Sequence, residues 1–227
     1  MTLGDYVADS EHLKDFKAVW GDSCQSMWAE LLALSIAESH VISNYANIPG
    51  DQLLTEMFYT PVLRGRLEDL RKDTYLSRVG TYRLAVITNR LVVLSASFET
   101  YFSYFLDAFI QTKPKYFDKA TNARTAAGDK FLGEVTKIRG LSARIIKFGE
   151  LAPSKIKSIE ARLSYLDDVY MLRNVLAHRA GLVDAHASSV LKHLKLNAGD
   201  RVSLSTDKLL ELAAPVVKIA EALDQKL

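Results

Sequence analysis

Phe98, Phe102, Phe105 and Phe109 recur at spacings of four and three inside one apolar stretch. That is the period of a single helix face, so the spacing predicts a long helix from Thr81 to Gln111 with this stripe turned to a core. Such rings can also stack on nucleobases, but inside so hydrophobic a run the core reading is the stronger. Eleven glycines and five prolines among 227 residues argue against a β protein with many tight turns. Helical periodicity extends to Glu11–Trp20 and Ser23–Tyr45, with Asp9/Ser10 and Asp22/Ser23 as candidate caps. Pro49-Gly50 then breaks the chain, and Asp51–Tyr59 and Pro61–Lys72 read as shorter helices.

Further along, Pro153-Ser154 opens a helix from Lys155 to about Arg179, and Gly181 stands where a left-handed residue would end it. A short helix around Ser188–Leu194 and a last one over Asp207–Lys226, kinked at Pro215, complete the pattern. Leu194–Leu196 and Val202–Leu204 flank the turn Asn197-Ala198-Gly199-Asp200 and form a candidate hairpin. The expected architecture is all-α: a helical bundle with long antiparallel core helices and at most a small β-hairpin near the C-terminus.

A chain of this length suits one large domain, or a domain with a helical extension, and needs no metal or disulfide staple. Cys24 is the sole cysteine, so no internal disulfide and no cysteine-based zinc site is available. The opening residues, MTLGDYVADSEH, lack the charged and apolar regions of a secretory signal. The most apolar stretch, Leu84–Ile110, is interrupted by Arg90, Glu99 and Asp107, so it does not reach the ~18 residues of a membrane span. These features predict a cytoplasmic protein with no membrane partner.

The formal charge of +2 is unevenly distributed. Between Lys113 and Lys157 there are eleven Lys and Arg against four acids, a local +7 that leaves −5 for the rest. Segregated positive charge attracts polyanions; the alternative is a solvated, lysine-rich face.

Phosphate-binding glycine loops, H-E-x-x-H and G-x-S-x-G are absent. His178, His186 and His193 are spaced unlike a ligand set, so no metal and no cofactor is expected. The informative segment is Tyr170-Met171-Leu172-Arg173-Asn174-Val175-Leu176-Ala177-His178-Arg179-Ala180-Gly181. On a helix, Leu166, Val169, Leu172, Val175 and Leu176 share one apolar arc, while Tyr170, Asn174 and His178 form a polar row beside it. Arg173 falls at the edge of that arc, where a guanidinium needs a carboxylate or phosphate to offset its desolvation. A purely structural alternative exists: Asn174 and His178 satisfying the helix-end carbonyls, and Arg173 buried in an ion pair.

In this setting the chain resembles the HEPN superfamily of small helical ribonucleases, marked by an R-x(4–6)-H motif that often carries Asn after the Arg. Arg173, Asn174 and His178 match that motif, and Leu91-Val92-Val93-Leu94-Ser95-Ala96-Ser97-Phe98-Glu99 is similar to the first core helix of these domains. The resemblance covers about residues 80–227 and implies a division into an N-terminal helical extension, 1–79, and a HEPN-like domain, 80–227. Members controlled by tyrosine nucleotidylation carry Tyr two residues after the His; Ala180 stands there in this chain.

The resemblance implies metal-independent endoribonuclease activity, as a toxin or antiviral-defence effector, by attack of a ribose 2′-OH on the adjacent phosphate. His178 would move the proton, Arg173 would stabilise the transition-state charge, and Asn174 would orient the imidazole or hold a phosphate oxygen. Glu99, Tyr170 and Arg179 are supporting candidates. Glu99 reaches Arg173 if the two long helices run antiparallel, and is otherwise a solvent-facing glutamate. Residues five apart on a helix diverge by about 140°, so Arg173 and His178 of one chain do not converge on one phosphate. A distorted last turn or a two-fold pair of chains would resolve this, and the resemblance favours the homodimer with a composite cleft. RNA is the implied partner, with an inhibitor or activator protein as a further candidate. The alternative function is a non-catalytic HEPN-like module for dimerisation or for RNA or protein binding.

Overall fold

The computed structural model describes residues 9–54, 70–152 and 157–227. It is all-α apart from one two-stranded ladder: α1 (Glu11–Asn44), α2 (Lys72–Thr112), β1 (Phe117–Asp118), β2 (Ala123–Arg124), α3 (Ala126–Thr136), α4 (Leu141–Leu151), α5 (Lys157–His178), α6 (Ala185–Val190) and α7 (Thr206–Asp224). Among the described residues no helix is long and apolar enough to cross a membrane.

The first helix starts at Ser10, whose hydroxyl oxygen accepts from the Leu13 amide at 3.2 Å. It then runs 34 residues without interruption. The expected break at Gly21-Asp22 does not occur. A mid-helix glycine costs only about 1 kcal/mol, and the buried face carrying Phe16, Ser23 and Met27 continues across it. The second helix is also longer than expected, beginning at Lys72 rather than Thr81. Lys72 itself is buried, and its ammonium donates to the carbonyls of Tyr45 and Ile48 at 2.8 Å each, which ties the start of α2 to the end of α1. Most of the two short helices expected over Asp51–Lys72 lies outside the described residues, as does Pro153-Ser154.

Phe98, Phe102, Phe105 and Phe109 are all buried, as the spacing predicts. The stripe has a second use. Phe148 of α4 meets Phe105 and Phe109 edge-on at 5.1 and 4.9 Å, and Phe131 of α3 stacks on Phe109 at 5.7 Å. The lysine-rich segment is thereby docked on the core as two helices. Gly128 is required for that docking: a Cβ there would sit 2.2 Å from the Tyr116 carbonyl oxygen. On the other side, α5 and α7 pack with α2, contributing Leu166, Val169, Leu172, Val175, Leu209, Leu212, Val216, Ile219 and Leu223. The last helix is continuous through Pro215.

Two expectations need correction. The ladder joins Phe117–Asp118 to Ala123–Arg124 and so lies in the basic segment rather than near the C-terminus. The turn at Asn197–Asp200 does form, but its partner is Gly181–Val183, not Leu194–Leu196: Val202 donates to the Gly181 carbonyl at 2.8 Å and Val183 to that of Asp200 at 2.9 Å. A division between residues 79 and 80 also falls inside α2. Leu13, Phe16 and Met27 of α1 share the core cluster of α2, α5 and α7.

Candidate functional site

Helix α5 buries the predicted arc, with Leu166, Val169 and Leu172 fully enclosed and Leu176 half-buried. Its polar row is divided: Tyr170 turns in against α2, and Asn174 and His178 face outward. Asn174 and His178 are exposed, and Arg173 is half-buried at the margin of the apolar face. None of these three side chains makes a hydrogen bond or ion pair with any described residue.

The end of α5 is closed without them. The Val175 carbonyl accepts from both Arg179 and Gly181 amides at 3.1 Å, and the Ala180 carbonyl accepts from Arg201 Nη1 at 3.3 Å. The bond from Gly181 reaches back six residues, one more than in the Schellman motif, and closes the helix end with a wider loop. It puts two successive residues in the left-handed region, Ala180 at φ +49° and Gly181 at φ +79°. Glycine adopts this freely, whereas alanine there costs about 1 kcal/mol. Arg179 turns away from His178 and pairs with Asp184, which also caps α6 by accepting from the Ala187 amide at 2.7 Å.

Tyr170 is the point at which α5 meets α2. Its hydroxyl donates to the Ser95 carbonyl at 2.9 Å. Burial raises the phenol's pKa above its usual value; the Glu99 carboxylate adds to the rise, while the Arg173 and Arg144 guanidinium groups oppose it. These four side chains, from α2, α4 and α5, thus share one neighbourhood. Glu99 is exposed and forms no ion pair with Arg173 within 4 Å, so the supporting bridge expected between them is absent. Arg173 and His178 stand five residues apart on a regular helix, and about 140° separates their directions. One chain brings Arg173 together with Tyr170, Glu99 and Arg144, and leaves His178 apart.

Sequence reasoning missed three features. Arg144 appeared there only as one charge among eleven; its Nε donates to the Ile138 carbonyl at 2.8 Å, leaving both terminal nitrogens unbonded to described residues. Asp168 is fully buried, and its oxygens accept from the Lys192 and His193 amides at 2.9 and 2.7 Å. It pins the chain after α6 to α5, and the His193 ring lies flat on Tyr165 with centroids 3.5 Å apart. A cavity of about 350 Å³ opens between α1 and α2, walled by Phe16, Val93 and Tyr101, with His12 stacked on Tyr104 at its edge. It lies on the face of α2 opposite Ser95 and Glu99. Among the described residues no three His, Cys, Asp or Glu side chains converge as a metal site would require. No protein-family model, no curated protein and no solved structure matches the chain.

Proposed function

We propose that this protein is a metal-independent endoribonuclease of HEPN type, a toxin or defence effector acting on RNA in the cytoplasm. The observation that carries the proposal is the lack of any described partner for Arg173, a half-buried guanidinium five residues before an equally unpartnered, exposed imidazole. A structural arginine at the rim of a core ordinarily has its carboxylate in place. An arginine that receives a phosphate does not. In the proposed reaction a ribose 2′-OH attacks the adjacent phosphorus and the bond to the 5′-oxygen of the next nucleotide breaks, giving a 2′,3′-cyclic phosphate and a free 5′-OH. His178 moves the proton, taking it from the 2′-OH or supplying it to the leaving oxygen. Arg173 neutralises charge developing on the non-bridging oxygens, and Asn174 orients the imidazole or holds a phosphate oxygen. Because the two groups diverge on one helix, the active cleft takes Arg173 from one chain and His178 from a second across a two-fold axis.

The test is degradation of RNA by purified protein in EDTA. The wild-type chain should leave cyclic phosphate ends, and Arg173→Ala and His178→Ala, equally folded by circular dichroism, should each lower the rate by at least a hundredfold. A second reading is a non-catalytic module of the same type that dimerises or binds RNA or protein. It is favoured by one observation: among the described residues no side chain hydrogen-bonds the His178 ring. Absence of cleavage in EDTA, or cleavage unchanged in both variants, would select it.

A further inference from the structure

The basic segment leads toward Arg173. Ser142, at the start of α4, donates from its hydroxyl to the Leu163 carbonyl of α5 at 3.2 Å, which seats α4 beside the candidate site. Two residues later Arg144 reaches the neighbourhood of Tyr170 and Arg173. Lys147 follows three residues after Arg144, on the same face of α4. It holds Glu150 at 2.9 Å and faces across to Glu134 of α3. Glu134 bonds to Lys137, and its carboxyl is held below the usual range first by that bond and then by Lys147 and Lys130. Arg144 and Lys147 thus share one face of α4, which packs with α5 through Ser142 and also with α3, the helix that carries Lys130 and Lys137 one heptad apart. Three carboxylates lie along the way, Glu99, Glu134 and Glu150. Two of them are engaged by single lysines, whereas Lys130, Arg144 and Arg173 have no carboxylate within 4 Å among the described residues.

We infer that this row of cations is the binding track for a single strand of RNA, running from Arg173 past Arg144 and Lys147 to Lys137 and Lys130. The inference rests on the endoribonuclease reading for the identity of the polyanion. A repeating phosphodiester is the ligand that satisfies cations set in a line, since each phosphate meets its own partner and releases its counterions. A single strand is specified by the chemistry. Attack of a 2′-OH in line with the leaving 5′-oxygen needs a nucleotide rotated out of A-form geometry, which an unpaired strand allows. With five cations, two of them already paired to carboxylates, the track takes about four nucleotides, at the low end of single-strand sites.

The experiment uses the full chain carrying His178→Ala, so that binding is read without cleavage. Its ligand is a 5′-fluorescein oligouridylate of about 12 nucleotides, followed by anisotropy across a KCl series. In that background, Lys130→Glu, Lys137→Glu and Lys147→Glu together should weaken binding at least tenfold and reduce the slope of log Kd against log salt by about two. Lys147→Glu alone, at an exposed ion pair, should give a smaller loss in the same direction. Lys218→Glu on α7 should leave both quantities unchanged. The track is overturned if the triple variant binds as its parent does, if the parent does not bind at low salt, or if duplex DNA of equal length binds as tightly. The two readings separate cleanly. Cleavage by the wild-type chain with no effect of the triple variant rejects the track alone, whereas binding that the triple variant abolishes, with no cleavage by wild type, rejects the nuclease alone.

Discussion

Tyr101 and Tyr170 fasten α2 to its neighbours in the same way. Each is largely withdrawn from water and donates its phenolic hydrogen to a main-chain carbonyl, that of Ala220 at 2.8 Å and that of Ser95 at 2.9 Å. Burial raises both pKa values, with Asp224 adding to the rise at Tyr101 and Glu99 at Tyr170. The unfolded chain ionises its tyrosines near pH 10, before the folded chain does. The stability these groups contribute is complete below that pH and is lost as pH rises above it, by about 1.4 kcal/mol per unit for each phenol. Urea unfolding between pH 9 and pH 11 should therefore show a steep decline, and Tyr101→Phe should make it shallower even where it lowers stability at pH 8. The polar row on α5 was legible in the sequence, because helical spacing alone puts Asn174 and His178 beside the apolar arc. The environment of Arg173 was not. Whether a guanidinium has a carboxylate partner depends on which helix packs next to it, and Glu99 and Arg144 come from 74 and 29 residues earlier. Asp168 was equally hidden, since its partners are main-chain amides that leave no mark in composition.

At the level of elements, periodicity located α2, α5 and α7 because each buries one continuous stripe. It misplaced ends where local signals were outweighed: Gly21-Asp22 resembles a boundary, yet the face shared by Phe16 and Met27 carries the helix through. The pairing of Gly181–Val183 with the Asn197–Asp200 turn escaped for another reason. It joins segments on either side of α6, and a hairpin signal reports only adjacent strands. The attachment of α3 and α4 makes a sharp test. Phe148 is the residue through which α4 meets the phenylalanine stripe, so Phe148→Ala should cost about 3–5 kcal/mol. Calorimetry would measure that loss. Amide exchange should speed up first in α3 and α4, while α5 and α7 stay protected; uniform acceleration would mean that the basic helices do not move as a unit.

For the molecule as a whole, the proposed nuclease needs Arg173 and His178 at one phosphate, a requirement that their divergence on one helix leaves to a second chain. Light scattering at micromolar concentration should give twice the 25.3 kDa of the chain. A more incisive test mixes two inactive proteins. Arg173→Ala and His178→Ala dimers, allowed to exchange subunits, should regain roughly one quarter of wild-type cleavage, because half the dimers become mixed and one of their two clefts is intact. No recovery after exchange would mean that the pair acts within a chain. Closure of the core depends on a different long-range contact. Asp224, in the last turn of α7, accepts from both the amide and the hydroxyl of Ser10, the residue that caps α1, and Glu221 one turn earlier binds Lys17 at 3.0 Å. On the ribosome, the first helix therefore emerges long before the residues that seat it, and the nascent chain stays without its native interior until Thr206–Asp224 has cleared the exit tunnel. A message cut short before that point yields polypeptide that carries the Arg-Asn…His segment without the helix that completes the core around it.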